Sequence, residues 1–182
     1  TPIVVNDSRG FYTSRVFGTY TGEGMMMLAE GINPALIENA GKMSGMPMAP
    51  LALMDAVALD LGHKVAVQTK KDFEAEGKEF PKNLSQDVLE VMVEKYGRYG
   101  KKNSKGFYDY LESGKKKLWP ELSSLYKLND DQPDVGELKK RLLYIQALET
   151  AKCYEEKVLT DVRDADIGAI LGWGMAPWTG GT

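Results

Sequence analysis

Apolar side chains recur at helical spacing along most of this 182-residue chain. The spacing predicts a helix from Phe11 to Glu30, which Gly31 would end because glycine commonly follows the last turn of a helix. Asn33-Pro34 predicts the start of another helix, since asparagine caps helices and proline fits the first helical position. The helices predicted after Gly31 span residues 33–43, 51–59, 62–70, 85–93, 135–158 and 161–171.

Only one short segment has a strand-like pattern. Pro2 to Val5 is a β-branched run that ends in the turn residues Asn6-Asp7-Ser8. A lone strand would leave backbone groups unpaired on both edges, so it is expected to complete a sheet outside this sequence. Residues 111–133 are polar and turn-rich and are interpreted as a linker. The pattern therefore predicts an all-α fold with one orphan N-terminal strand.

A repeated motif divides the chain into two copies. Arg15, Glu23 and the triplet Met48-Ala49-Pro50 recur as Arg141, Glu149 and Met175-Ala176-Pro177, at the same spacing within one residue. A repeat of this length indicates two copies of one supersecondary unit rather than a solenoid. Such copies can pack on each other as two subunits of a dimer would. We expect Arg15 to pair with Glu23, because the same spacing recurs in the second copy.

The repeat defines the predicted domains. Residues 1–110 form the first helical domain, within which residues 1–6 belong to the strand; residues 111–133 are the linker; and residues 134–182 form a second helical domain truncated at its C-terminus.

Charge and cysteine content restrict the function classes. The net charge of −3 does not favour a nucleic acid or an anionic membrane as partner, and no apolar run has the length of a membrane span. The single cysteine, Cys153, cannot form an internal disulfide and is interpreted as a buried apolar residue. These features fit a cytoplasmic protein.

The residues themselves do not define a catalytic centre. His63 is the only histidine and lacks a partner in a recognisable motif, so a surface or packing role is favoured. Asp55 and Asp60 have the spacing of ordinary helix-surface charges, and the loop 97–106 lacks the strand and helix that a phosphate-binding loop needs. The many methionines fit either a core or a flexible apolar pocket.

Several ordered motifs together resemble the 3-hydroxyacyl-CoA dehydrogenase family, and they cover nearly the whole chain. The tandem copies resemble the multifunctional fatty-acid oxidation α-subunit type. The resemblance implies a duplicated helical C-terminal domain, similar to that of 6-phosphogluconate dehydrogenase. The motifs are residues 1–15 (TPIVVNDSRGFYTSR), Met46 to Leu51 with Leu53-Met54-Asp55, Asn103 to Tyr110 (NSKGFYDY) and Asp164 to Gly168.

The family resemblance implies a reaction and its cofactor. The parent protein is expected to oxidise 3-hydroxyacyl-CoA to 3-ketoacyl-CoA with NAD in fatty-acid β-oxidation. In the family, the NAD-binding Rossmann domain and a catalytic His–Glu pair precede this region, so the isolated chain is expected to be an inactive fragment that binds no cofactor itself. His63 does not match the catalytic histidine. An enoyl-CoA hydratase domain and a thiolase subunit are further partners that this type implies.

By the same resemblance, a few residues of this chain face the acyl-CoA substrate. Ser14 occupies the position of the family's asparagine near the substrate carbonyl, where we expect an auxiliary catalytic role, with a water bridging the shorter side chain. Pro47, Met48 and Leu53 are expected to line the acyl pocket. Ala49 stands where the family commonly has glycine, and the added methyl of alanine is expected to narrow the turn or the adjacent acyl pocket.

Two other functions are compatible with the sequence. A non-catalytic helical acyl-CoA-binding or assembly module would have the same helices. The C-terminal domain of a related dehydrogenase with another substrate is the third reading, because similar helical domains follow other dinucleotide-binding folds.

Overall fold

The computed structural model describes residues 2–182 and is predominantly helical, as predicted. Thr1, the first residue of the predicted strand, lies outside the described residues. The helices are α1 (Thr13–Ala29), α2 (Pro34–Met43), α3 (Pro50–Val57), α4 (Leu59–Ala75), α5 (Leu84–Glu90), α6 (Leu122–Leu125), α7 (Val135–Glu155) and α8 (Val162–Trp173). The strands β1 (Tyr108–Tyr110) and β2 (Lys116–Leu118) form an antiparallel hairpin. No helix of the described part is long and apolar enough to cross a membrane.

Contacts between residues divide the chain into two compact units. Unit 1 contains residues 1–24, 36–50 and 133–182, and unit 2 contains residues 25–35 and 51–132. The units group residues by proximity in space, whereas the predicted domains follow the sequence repeat. The domain boundaries 1–110, 111–133 and 134–182 therefore stay a prediction.

The N-terminal segment does not form the predicted strand. Residues 2–7 have no regular structure, and the Asn6 backbone N–H donates to the Val158 carbonyl at 2.9 Å. The side chains of Ile3 and Val5 instead pack against a buried apolar cluster of unit 1. These two β-branched side chains are thus partly buried against helices, and the segment needs no partner strand. The members of this cluster are Tyr12, Val16, Cys153, Val158, Leu159 and Ala165, so the expected burial of Cys153 is confirmed.

Unit 1 joins the two copies of the repeat through reciprocal ion pairs. Arg15 pairs with Glu149 and, through both guanidinium amino groups, with Glu156, whereas Arg141 Nε donates to Glu23 at 2.6 Å. The expected pairing of Arg15 with Glu23 is wrong. Each arginine reaches the glutamate of the other copy, which is the exchange expected of a two-fold interface.

The second copy begins its helices with side-chain caps. Asp134 accepts from the Gly136 N–H at 2.7 Å at the start of α7, and Asp161 accepts from the Arg163 N–H at 2.9 Å at the start of α8. Each carboxylate satisfies a backbone donor that has no partner within the helix.

Unit 2 is organised around a buried carboxylate. Asp55 has no exposed surface and accepts from the Phe107 N–H at 2.8 Å, the Tyr108 N–H at 3.0 Å and the Tyr110 hydroxyl at 3.0 Å. Three donors compensate the burial of its charge. Asp55 is therefore a buried structural residue rather than the helix-surface charge that its spacing predicted.

The polar stretch 111–133 is more ordered than its composition predicted. It contains β2, α6 and two buried apolar side chains, Trp119 and Leu122. The Arg98 guanidinium stacks 4.1 Å from the ring centroid of Trp119 and pairs with Asp109 at 2.6 Å. A few apolar residues thus fix a segment whose overall composition is typical of a linker.

Candidate substrate-facing site

Ser14 lies on the first turn of α1, with its side chain exposed. A turn with positive φ at Gly10 (79°) and Phe11 (49°) leads into this helix. The following residue, Tyr12, is fully buried and its hydroxyl donates to the Ala165 carbonyl at 2.9 Å. Burial raises the pKa of Tyr12, so this hydroxyl remains a donor and fixes the start of α1.

The turn between α2 and α3 holds two other predicted residues. Pro47 is exposed and Met48 is half-buried, whereas Ala49 is almost fully buried in unit 1. The Tyr20 hydroxyl donates to the Met48 carbonyl at 2.9 Å. Burial, followed by the nearby charge of Glu38, raises the pKa of Tyr20, so that the hydroxyl stays protonated. Unit 1 therefore fixes the backbone at Met48 and leaves Pro47 accessible.

The end of α8, from the second copy, lies against both of these segments. A Cβ atom placed on Gly172 would lie 3.2 Å from the Thr13 methyl group, and one on Gly174 would lie 2.7 Å from Pro47 Cγ. Because these two glycines are two residues apart, the turn that carries Ser14 and the turn that carries Pro47 flank the same stretch of backbone. Leu53, the fourth predicted residue, is half-buried on α3 and belongs to unit 2.

Pro47 and Gly174 are also equivalent positions of the two copies, since each stands directly before a Met-Ala-Pro triplet. A residue that contacts its own equivalent lies near a two-fold axis. The two Met-Ala-Pro turns thus meet near the pseudo-two-fold axis of unit 1. The sequence contained this signal as the repeat, but spacing alone does not show which residues meet across it.

The remaining candidates do not assemble a second centre. His63 Nε2 lies 3.1 Å from Glu94, and Asp60 pairs with Lys102, whose hydrogen bond lowers the pKa of this carboxyl. Among residues 2–182, no group of three His, Cys, Asp or Glu side chains could hold a metal ion. Six methionines are buried and fill the apolar interiors of the two units: Met25, Met27, Met46, Met54, Met92 and Met175.

The described residues do not fit NAD. Their only sheet is the two-stranded antiparallel hairpin, whereas a dinucleotide fold needs a parallel sheet with a glycine-rich turn into a helix. The chain is thus a predominantly helical module in which three of the four residues predicted to face substrate, Ser14, Pro47 and Met48, lie in unit 1.

Comparison with known proteins identifies the class of this module. The family model described as 3-hydroxyacyl-CoA dehydrogenase, C-terminal domain, matches residues 10–110, which is more than half of the chain. The chain therefore belongs to the 3-hydroxyacyl-CoA dehydrogenase family, and it contains that family's helical C-terminal domain.

A solved structure shows the same fold over almost the whole chain. The crystal structure of 3-hydroxybutyryl-CoA dehydrogenase from Escherichia coli K12 substr. MG1655 is 18% identical, has a TM-score of 0.65 and aligns with 98% of this chain. The chain spans about half (53%) of the length of that enzyme. The alignment extends beyond residue 110, so the fold likeness includes the second copy of the repeat.

Proposed function

We propose that this chain forms the substrate-facing and pseudo-dimeric helical part of a 3-hydroxyacyl-CoA dehydrogenase. The whole enzyme would oxidise 3-hydroxyacyl-CoA to 3-ketoacyl-CoA with NAD in fatty-acid β-oxidation. NAD would be bound by a Rossmann domain outside the described residues, together with the catalytic His–Glu pair. The observation that carries the proposal is the family match over residues 10–110, which includes all four predicted site positions, Ser14, Pro47, Met48 and Leu53.

In this proposal Ser14 assists the reaction without performing it. Its hydroxyl can donate to or accept from a substrate oxygen, directly or through a water, because the side chain is exposed on the first turn of α1. It has no ability to remove a proton at neutral pH without an activating base. Ser14 therefore orients the substrate, and proton removal belongs to the His–Glu pair of the other domain.

The second copy would replace a partner subunit. The exchange of Glu23 and Glu149 between Arg141 and Arg15 supports this role, since two identical subunits would form the same pairs. The isolated chain is accordingly expected to be monomeric or weakly dimeric. Light scattering that gave a tight dimer would contradict the pseudo-dimer.

The test is NADH oxidation with acetoacetyl-CoA, measured for this chain and for the product of the complete reading frame. We expect activity from the complete product and none from residues 1–182 alone. Activity in the short chain would show a base and a cofactor site among its own residues. Inactivity of both, with tight binding of acyl-CoA to the chain, would instead support a non-catalytic binding module.

A further inference from the structure

The second copy holds the Met46-Pro47-Met48 turn of the first copy through one exposed aromatic side chain. Trp178 is 68% exposed, yet its indole Nε1 donates to the Ser44 carbonyl at 2.8 Å. Ser44 itself is fully buried and is the first residue after α2. A tryptophan this exposed contributes little apolar burial, so its hydrogen bond is the specific part of the contact.

The indole also occupies the space beside Gly45. A Cβ atom on Gly45 would lie 2.6 Å from Trp178 Nε1, and φ at this glycine is 89°, a conformation that L-residues rarely adopt. The ring and the glycine therefore match in shape as well as in hydrogen bonding. Gly174, four residues before Trp178, lies against Pro47 of the same turn, since a Cβ atom on this glycine would be 2.7 Å from Pro47 Cγ.

These contacts lead to a role for Trp178. We infer that Trp178 is a positioning residue that fixes residues 44–48 and thereby sets the depth of the acyl pocket. The part that concerns the acyl pocket rests on the proposed function. The second copy then determines which acyl chains fit, beyond replacing a partner subunit. Short acyl chains would not reach this turn, whereas long chains would contact Pro47 and Met48.

The direct test is amide hydrogen exchange on residues 1–182 with Trp178→Phe, which keeps an aromatic ring and removes the N–H donor. The Ser44 and Gly45 amides donate to the Ala40 and Lys42 carbonyls and report on this turn. We expect their exchange to accelerate about tenfold, because a buried carbonyl loses its donor. The Val158 amide, bonded to the Cys153 carbonyl at 2.8 Å in the core of unit 1, should not change.

The matched control is Trp173→Phe. Trp173 Nε1 donates to Gln146 Oε1 at 2.9 Å, so this variant loses an indole hydrogen bond of the same unit without touching the 44–48 turn. It should leave the Ser44 and Gly45 amides unchanged. Unchanged exchange in Trp178→Phe, or equal acceleration in both variants, would overturn the positioning role.

The second readout links the turn to substrate. In the complete protein, Trp178→Phe should raise KM for long-chain substrates roughly tenfold, while KM for acetoacetyl-CoA and kcat stay constant. Equal effects at all chain lengths, or none, would overturn the role in acyl selection even if exchange had changed. A wild-type protein inactive towards every 3-hydroxyacyl-CoA would refute the proposed function, and the exchange result would then decide the positioning role alone.

Discussion

Arg15 forms an ion pair with Glu149, 134 residues further along the chain, rather than with Glu23 eight residues away. On a helix, residues eight apart are more than two turns apart and their side chains are too distant to pair directly. Arg141 completes the exchange by pairing with Glu23. The repeated spacing thus encodes a contact between copies.

Removing Arg15 should destabilise the protein. The side chains of Arg15 and Glu149 are 18% and 14% exposed, so Arg15→Met would leave a mostly buried carboxylate with only the exposed Lys152, 3.3 Å away, as its cation. We expect a loss of about 2 kcal/mol in the free energy of unfolding, between the values typical of surface and buried pairs. Urea unfolding measures it. Arg163→Met, which breaks an exposed pair with Asp161, is the control and should change stability much less, because water screens exposed charges. Equal losses in the two variants would show that burial does not decide the effect.

The carboxyl group of Asp161, which caps α8, should titrate at unusually low pH. The Arg163 side chain, and then its backbone N–H, lower the pKa of Asp161 from 3.8 to about 2. A lowered pKa in the folded state means that this carboxylate stabilises the fold fully above pH 3.8 and loses its contribution as the pH falls to about 2. Carbon NMR titration of the Asp161 carboxyl measures the midpoint. Arg163→Met should move that midpoint upward, and an unchanged midpoint would exclude the side chain as the main cause.

Asp55→Asn should weaken unit 2. The two carboxylate oxygens of Asp55 accept from the backbone N–H groups of Phe107 and Tyr108. In asparagine one of these oxygens becomes an NH2 group, so one backbone N–H would face another donor and lose its acceptor. A cost of about 3 kcal/mol is expected from chemical denaturation, because charged acceptors are strong and buried donors are costly when unpaired. Tyr110→Phe, which removes one of the donors to Asp55, should cost only about 1 kcal/mol. A larger loss in Tyr110→Phe than in Asp55→Asn would contradict this account.

Ala58→Gly should stabilise the protein. Ala58 stands between α3 and α4 with φ of 95° and ψ of 121°, where a side chain is strained. Glycine removes this strain, and after its entropy cost in the unfolded chain we expect a gain of about 1 kcal/mol. Ala56→Gly, inside helix α3, is the matched control and should destabilise by about 0.5–1 kcal/mol. In thermal unfolding, the midpoint temperature should therefore rise in Ala58→Gly and fall in Ala56→Gly.

Ser14 offers a test of the proposed substrate-facing site. In the complete protein, Ser14→Asn restores the amide of the family pattern and should raise kcat, whereas Ser14→Ala should lower kcat about tenfold by removing the hydroxyl. Because the side chain is exposed, neither variant should change the unfolding midpoint by much. Equal kcat in wild type and Ser14→Ala would remove Ser14 from the site.

The sequence by itself determined the helices and the family. Helical periodicity and capping residues are local, so α1, α2, α7 and α8 lie close to their predicted ranges. Ordered motifs such as Asn103 to Tyr110 can also be recognised in the sequence without knowledge of tertiary contacts. The family match over residues 10–110 confirmed the resemblance that these motifs indicated.

Only the tertiary structure decided how these parts are used. Ile3 and Val5 have strand propensity, yet packing against helices determines their conformation, because side-chain burial outweighs local preference. Asp55 has the spacing of a surface charge, but the backbone donors of residues 107 and 108 surround it. The exchange of glutamates between Arg15 and Arg141, and the contact of Trp178 with Ser44, join residues more than 100 positions apart. Such contacts depend on how the two copies pack, which no local pattern specifies.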